Sequence, residues 1–281
     1  MGSASRLIWG SVDPPADTRY GLALISHEGF MPRLSGKIAI VTGAGIGIGQ
    51  AISKRFAAEG AHVWVTDING ETAEETARSI TTSGGQATAM RVDVSKGQDL
   101  TALVRNVTSA HGMADILVNN AGILIRGEVR SLSDDEWTRL REVNIDGVLR
   151  LSRDCLPLLR KSAAGSIINI SSIMANRGLR PLAAYTATKG AVTALTKGLA
   201  VEYAPFKVRV NAISPGYIET AITDRMLRLP QARKMLTDKT PMGRLGNPDD
   251  LAGAAVFFAS DDSLYCTGSD LIVDGGMAAG L

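Results

Sequence analysis

"TGAGIGIG", Thr42 to Gly49, places glycine at every second position: Gly43, Gly45, Gly47 and Gly49. An apolar run, Ile38–Val41, precedes it, and a helix-period segment, Gln50–Glu59, follows. A strand feeding a glycine-rich turn and then a helix leaves free backbone N–H groups at the positive end of the helix dipole, where an anion is stabilised. The commonest dinucleotide spacing, G-x-G-x-x-G from Gly43 and Gly45, would need glycine where Ile48 stands, so that pattern fails. G-x-x-x-G-x-G through Gly43, Gly47 and Gly49 fits instead. Gly43 is expected to make the turn, Gly47 to admit phosphates and Gly49 to bring the helix close, with Gly45 left without a contact.

Working outward, short apolar runs alternate with longer segments of helical period. The strand candidates are Ile38–Val41, His62–Thr66, Ala87–Val92, Ile116–Val118, Ser166–Ile170, Arg209–Ile213 and Leu271–Val273. Each is apolar on both faces, as strands of a parallel sheet covered by helices on both sides must be. Helix starts are marked by Ser95 with Gln98, by Ser133 with Glu136, and by Asn247-Pro248. Without repeats, low-complexity tracts or linkers, this order predicts one Rossmann-like, doubly wound α/β domain: a parallel sheet of seven strands over residues 31–281, with helices on both faces. Residues 1–30 have no stable period and are read as a disordered or loosely packed arm. An upstream start site or an arm reaching across a subunit interface are the alternatives.

Composition bounds the function. The 281 residues are 45% hydrophobic, enough for a sizeable core, and 30 basic against 28 acidic residues leave a net charge of only +2. Such a scattered balance argues against nucleic acid or an anionic membrane as partner. Two cysteines, Cys155 and Cys266, are too few for a disulfide framework or a zinc cluster, and no long apolar span or signal-like start occurs. The expected setting is cytoplasmic. His27, His62 and His111 fall outside every motif, neither His-Glu-x-x-His nor Gly-x-Ser-x-Gly is present, and no metal is expected.

The second strand ends in Asp67, placed to accept hydrogen bonds from both hydroxyls of an adenosine ribose. A carboxylate there repels a 2′-phosphate, and Ile46 in the glycine loop offers no compensating cation, so the expected cofactor is NAD. Further along stand Asp93 in "RVDVS", Asn119 to Gly122 in "NNAG", Asn144 in "EVNIDG", Ser172 in "INISS", and Tyr185 and Lys189 in "YTATK". Tyr185 and Lys189 are four apart and so share one helix face. An ammonium beside a phenol is expected to lower the phenol's pKa toward the working range, making Tyr185 a general acid or base. Ser172, at a strand end, can hydrogen-bond and orient a substrate oxygen, whereas Ser171 would face the opposite way.

In this order the motifs resemble the short-chain dehydrogenase/reductase family, from about Leu34 to the C-terminus. The resemblance implies Asn144, Ser172, Tyr185 and Lys189 as the catalytic set, with Asn144 holding a proton-relay water and Lys189 also binding the nicotinamide ribose. The choice of Ser172 over Ser171 rests on this resemblance. It implies cofactor contacts from Gly43, Gly47, Ile48, Gly49 and Asp67, with Asp93 and Val94 flanking the adenine. Asn119, Ala121 and Gly122 would form the floor, Pro215 and Gly216 would lie beside the nicotinamide, and Ile218 and Thr220 would approach the carboxamide and phosphates.

The implied activity is NAD-dependent interconversion of a secondary alcohol and a ketone. A 3-oxoacyl (carrier protein or CoA) reductase and a non-catalytic NAD(H)-binding regulator are the alternatives. The segment 217–240 is expected to form a substrate lid with Met226, Leu227, Leu229 and Met235 as an apolar ceiling, and Arg177 and Arg180 are candidates to receive an acidic substrate. The resemblance also implies a homo-oligomer, tetramer or dimer, with helices Asp134–Leu159 and Ala183–Tyr203 at one interface and "VDGGMAAGL" near another.

Overall fold

Short strands without polar alternation need cover on both faces, and the fold supplies it for the five central strands while the two edge strands stay partly exposed. The computed structural model describes residues 32–280, so the arm expected over 1–30 lies outside the described residues. The strands are β1 (Ile38–Thr42), β2 (His62–Asp67), β3 (Gln86–Arg91), β4 (Ile116–Asn119), β5 (Gly165–Ile170), β6 (Val208–Pro215) and β7 (Asp270–Val273). The helices are α1 (Gly47–Ala58), α2 (Gly70–Thr82), α3 (Gly97–His111), α4 (Asp134–Arg141), α5 (Gly147–Leu159), α6 (Ala183–Tyr203), α7 (Ala221–Leu227), α8 (Pro230–Asp238) and α9 (Asp249–Ala259). All seven strands pair in parallel in the order β3-β2-β1-β4-β5-β6-β7. The chain is thus a Rossmann-like, doubly wound α/β fold. The order reverses between β1 and β4, so the loops leaving their C-terminal ends diverge and open a crevice there.

Alternate residues of one strand feed opposite cores. Val41 joins Ile52, Phe56 and Phe258 beneath α1 and α9, whereas its neighbour Ile40 joins Leu100, Leu103, Leu151 and Tyr203 beneath α3, α5 and α6. All of these except Phe258 and Tyr203 are completely buried. Truncating any such leucine to alanine costs about 2–5 kcal/mol.

Local chemistry departs from the expected starts in three places. α1 begins at Gly47, not Gln50, and no side chain caps it, because Ile46 occupies the cap position in an extended conformation. Ser95 does not form a capping box with Gln98: its N–H and hydroxyl both donate to Asp93 Oδ1, at 3.0 and 2.7 Å, and this tight turn displaces the helix start to Gly97. The helix expected over 134–159 is interrupted by a π-turn, Glu142–Asp146, whose extra residue re-aims the side chains between α4 and α5.

The box at Ser133 forms as expected, with the Glu136 N–H donating to Ser133 Oγ at 3.2 Å and the Ser133 N–H to Glu136 Oε2 at 2.9 Å. Asn247 and Asp250 make the same reciprocal pair, at 3.1 and 2.8 Å, before α9. Replacing Ser133 by alanine should lower stability by about 1 kcal/mol. Urea unfolding should show a lower midpoint with an unchanged slope.

Candidate active site

The glycine loop is a surface from which side chains are excluded by neighbours already in place. A Cβ on Gly49 would lie 2.2 Å from the Gly43 carbonyl oxygen and 2.5 Å from Asn120 Nδ2, so the first turn of α1 rests directly on the loop. Gly45 is not the spare glycine of the sequence reading. Its Cβ would lie 2.2 Å from Thr72 Oγ1, and its N–H donates to Asp67 Oδ2 at 2.9 Å. Asp67 thereby ties the loop to the end of β2, and its Oδ1 accepts the Asn69 N–H at 3.0 Å. These contacts fix the loop as a cradle of bare backbone, whose own packing a Cβ on Gly43, Gly45 or Gly49 would break, next to an uncapped helix N-terminus. A pyrophosphate fits such a cradle.

From the cradle a cleft of about 600 Å³ runs along the C-terminal ends of the strands. That volume suits a bound cofactor or drug-sized ligand. Gly43, Ile48, Asp67, Asp93, Val94, Ala121, Gly122, Pro215, Gly216, Ile218 and Thr220 all line it, and so do Ser172, Tyr185 and Lys189. Gly47 lies under Thr220, whose Cγ2 would be 3.4 Å from a Cβ there. Asn119 turns into the core instead, where its amide donates to Ser152 Oγ at 3.0 Å and Asn169 Oδ1 at 2.9 Å. Asn120, which the sequence reading passed over, lines the cleft and donates to the carbonyls of Thr42 and Gly43, each at 2.9 Å. Its place beside Asn119 in "NNAG" was the available signal, but which amide turns inward depends on the pleat of β4.

At the far end of the cleft, α6 carries Tyr185 and Lys189 on one face. The Lys189 ammonium stands 5.9 Å from the centre of the phenol ring and donates to the Ile170 carbonyl at 2.8 Å. Ser172, just past β5, lies close enough to the Tyr185 phenol for its hydroxyl to favour the ionised form. Its Oγ also accepts the Met174 N–H at 3.1 Å. Ser171 points the other way, to the Lys189 carbonyl at 3.1 Å and Thr193 Oγ1 at 2.8 Å, where it pins α6.

Burial decides the electrostatics, and it reverses one expectation. The phenol is pushed up to about 12 by desolvation, with only the Ser172 hydroxyl pulling it down. Lys189, equally enclosed, is brought down to about 8 by the same loss of water. Lys189, still charged at neutral pH, does not offset the desolvation that raises the phenol.

Asn144 sits in the π-turn, almost completely buried. Its Oδ1 accepts the Ile123 N–H at 2.9 Å, and its amide donates to the Ile123 carbonyl at 3.0 Å and Thr188 Oγ1 at 3.1 Å. Thr188 in turn donates to the Tyr185 carbonyl at 2.8 Å. This short chain links the π-turn, the loop after β4 and the first turns of α6. A Cβ on Gly122 would lie 3.4 Å from Asn144 Oδ1 and 3.6 Å from Lys189 Nζ, so the missing side chain keeps carbon out of the space between them.

The expected apolar ceiling is divided. Leu227 packs with Leu236 and Leu245, with Met226 and Tyr217 against them, while Leu229 and Met235 are exposed at 61% and 49%. Neither arginine is free for an acidic substrate: Arg180 pairs with Glu128, and Arg177 donates to backbone carbonyls near the C-terminus. Among the described residues no cluster of His, Cys, Asp or Glu could hold a metal, and no helix is long and apolar enough to cross a membrane.

Comparison with known proteins matches this arrangement. A family model described as enoyl-(acyl carrier protein) reductase matches residues 43–278. The chain is 38% identical over 249 residues to a cyclopentanol dehydrogenase of Comamonas testosteroni, covering 89% of this chain and 100% of that one. It is 41% identical over 254 residues to an NADP-dependent (R)-specific alcohol dehydrogenase of Lentilactobacillus kefiri, covering 88% and 98%. Among solved structures it resembles a gluconate 5-dehydrogenase from Burkholderia cenocepacia in complex with NADP and tartrate, with a TM-score of 0.85, 35% identity, and coverage of 89% and 99%. With the sheet order, the glycine cradle and the Ser172–Tyr185–Lys189 cluster already in place, the chain belongs to the short-chain dehydrogenase/reductase family of oxidoreductases.

Proposed function

We propose that this chain is an NAD-dependent oxidoreductase that interconverts a secondary alcohol and a ketone, with Tyr185 as general acid and base. The observation that carries the reading is the Tyr185 phenol, lining one nucleotide-sized cleft with Ser172 and standing one helix turn from Lys189. Gly43, Gly47, Ile48 and Gly49 would hold the pyrophosphate, Asp67 the adenosine ribose, Asp93 and Val94 the adenine, and Pro215, Gly216 and Lys189 the nicotinamide half. Ala121 and Gly122 shape the floor, Asn119 supports it from the core, and Ile218 and Thr220 close the phosphate side. When bound, the nicotinamide supplies the hydride acceptor or donor and, in its oxidised form, a positive charge.

The protein's own residues then handle the oxygen and its proton. Ser172 orients the substrate oxygen toward the phenol. A phenol near 12 is protonated at neutral pH and so is ready to donate to a forming alkoxide during ketone reduction. For alcohol oxidation the phenol must lose that proton, which nearby positive charge favours. Lys189, poised near 8, exchanges protons easily at neutral pH, and it and Asn144 both approach Gly122.

Support for NAD comes from the ribose end. Both Asp67 oxygens are engaged by backbone N–H groups, and the exposed neighbours Ile46 and Ile68 carry no cation for a 2′-phosphate. NADP is named for the Lentilactobacillus kefiri relative and for the Burkholderia cenocepacia structure, and exchanging Asp67 and Ile68 tests the preference directly. Residues 217–240, carrying α7 and α8, are proposed as the substrate lid. Homo-oligomer formation is supported by β7, an edge strand whose Leu271 and Ile272 are exposed at 38% and 47%.

The first test is formation of reduced nicotinamide across a panel of cyclic, aryl, acyclic and sugar secondary alcohols. Tyr185→Phe should abolish turnover while NADH still binds, and retention of most activity would remove Tyr185 from the chemistry. Replacing Asp67 by serine together with Ile68 by arginine should move the ratio of kcat/KM toward NADP by about tenfold or more, since a charge repulsion is exchanged for an attraction.

Lys189 also makes a pH prediction. The unfolded chain keeps the lysine proton up to about 10.5, whereas the folded chain releases it above about 8. Between those values the unfolded state binds more protons, so this group makes stability rise with pH, by at most about 1.4 kcal/mol per pH unit. The difference in unfolding free energy between wild type and Lys189→Met should therefore grow in favour of wild type from pH 8 to pH 10. A difference independent of pH would contradict a desolvated ammonium.

A further inference from the structure

The C-terminal turn touches three segments around the reaction centre, and one side chain holds it in place. Where β7 ends, the Val273 carbonyl accepts the Gly216 N–H at 3.0 Å, and a Cβ on Gly216 would lie 2.7 Å from Asp274 Cβ. Asp274 then turns the chain by accepting the Gly276 N–H at 2.9 Å and the Ala278 N–H at 2.5 Å. The turn rests on the segment after α8: the Met242 N–H donates to the Gly275 carbonyl at 3.1 Å, and Pro241 lies 3.2 Å from where a Gly276 Cβ would be. Its last carbonyls face Arg177, five residues beyond Ser172. The guanidinium donates to the carbonyls of Met277 at 3.2 Å, Ala278, and Gly280 at 3.5 Å. No backbone N–H of the described residues donates to these three carbonyls. A cation therefore caps them as it would the end of a helix.

We propose that Arg177 is a positioning residue: by gripping the turn Asp274–Gly280 it holds together the segment after Ser172, the Pro215-Gly216 turn and the chain that follows α8. Of these, the Pro215-Gly216 turn lines the cleft together with Tyr185, and the segment after Ser172 continues directly from a residue that lines it. Releasing the C-terminal turn frees the three segments to move independently, so substrate capture weakens while the nucleotide cradle, built at the other end of the cleft, is unaffected. The planar guanidinium matters because one fork reaches several carbonyls, which a single ammonium cannot do.

The kinetic part of this inference rests on the oxidoreductase reading; a measurement without turnover keeps the two separable. In the full-length protein, Arg177→Ala should raise KM for the alcohol substrate about tenfold, leave kcat within threefold and leave the affinity for ADP-ribose, which reaches only the cradle end and is read by calorimetry, within twofold. Deleting residues 277–281 should do the same. Combining both changes should be no worse than either, because the two act through one contact. Arg177→Lys should recover part of the loss. Hydrogen exchange, measured without substrate, should quicken in residues 173–180 and 240–243 of both altered chains.

An unchanged KM in Arg177→Ala would overturn the proposal, and so would unchanged exchange. A further tenfold loss from Arg177→Ala in the shortened chain would also overturn it, by placing the guanidinium on the substrate itself. If the wild-type chain oxidises no alcohol, the oxidoreductase reading fails, and exchange alone decides the grip of Arg177.

Discussion

The loops leaving β1 and β4 are knotted together by two side chains. The Asn120 amide donates to the carbonyls of Thr42 and Gly43, each at 2.9 Å, while the Thr42 hydroxyl accepts the N–H groups of Asn120 and Ala121, each at 3.0 Å. This knot sits where the strand order reverses, so it sets the width of the crevice on which every later step depends. The carbonyls of Thr42 and Gly43 are satisfied from the β4 side, and that of Gly45 from Gln50 and Thr76. α1 can begin directly on the glycine loop only because Gly49 carries no Cβ. The cradle, the helix dipole and the floor of the cleft therefore share one origin.

The other end of the cleft is governed by exclusion of water. Tyr185 and Lys189 are enclosed by the same packing that seats α6 on β5, and desolvation moves each toward its neutral form. Buried groups of this kind stay in place only if their neighbours are fully hydrogen-bonded. Ser171, Thr188 and Asn144 fulfil that condition, fastening α6 to β5 and to the π-turn without approaching the reacting oxygen. Precise placement of the phenol thus depends on polar residues such as Ser171 and Thr188 that pin α6 to its neighbours.

Much of this was legible in one dimension. The seven apolar runs became the seven strands, with boundaries shifted by one or two residues, because burial on both faces leaves an unmistakable pattern. Tyr185, Lys189 and Ser172 were legible because helix and strand periodicity convert their spacing into a shared face. The misreadings have a common cause. Gly45 was taken as spare because its obstacles, Thr72 and Asp67, lie on another unit of the sheet. Arg177 was a candidate for substrate because its carbonyl partners are about a hundred residues away. Ser95 was assigned to a capping box because nothing local announces that Asp93 will take both of its donors.

What the amino-acid order determined by itself was the local grammar: strand, glycine turn, helix, repeated until a parallel sheet was the only way to bury every run. It also determined which reactive side chains share a helix face, since that follows from 3.6 residues per turn alone. Tertiary structure decided the direction in which the pKa values of Tyr185 and Lys189 move, because desolvation depends on what packs around a group. It decided as well that Asn120, not Asn119, faces the cleft, that the π-turn presents Asn144 to Ile123 and Thr188, and that Arg177 meets the C-terminal turn. Those are outcomes of distant segments meeting, and local spacing holds no record of them.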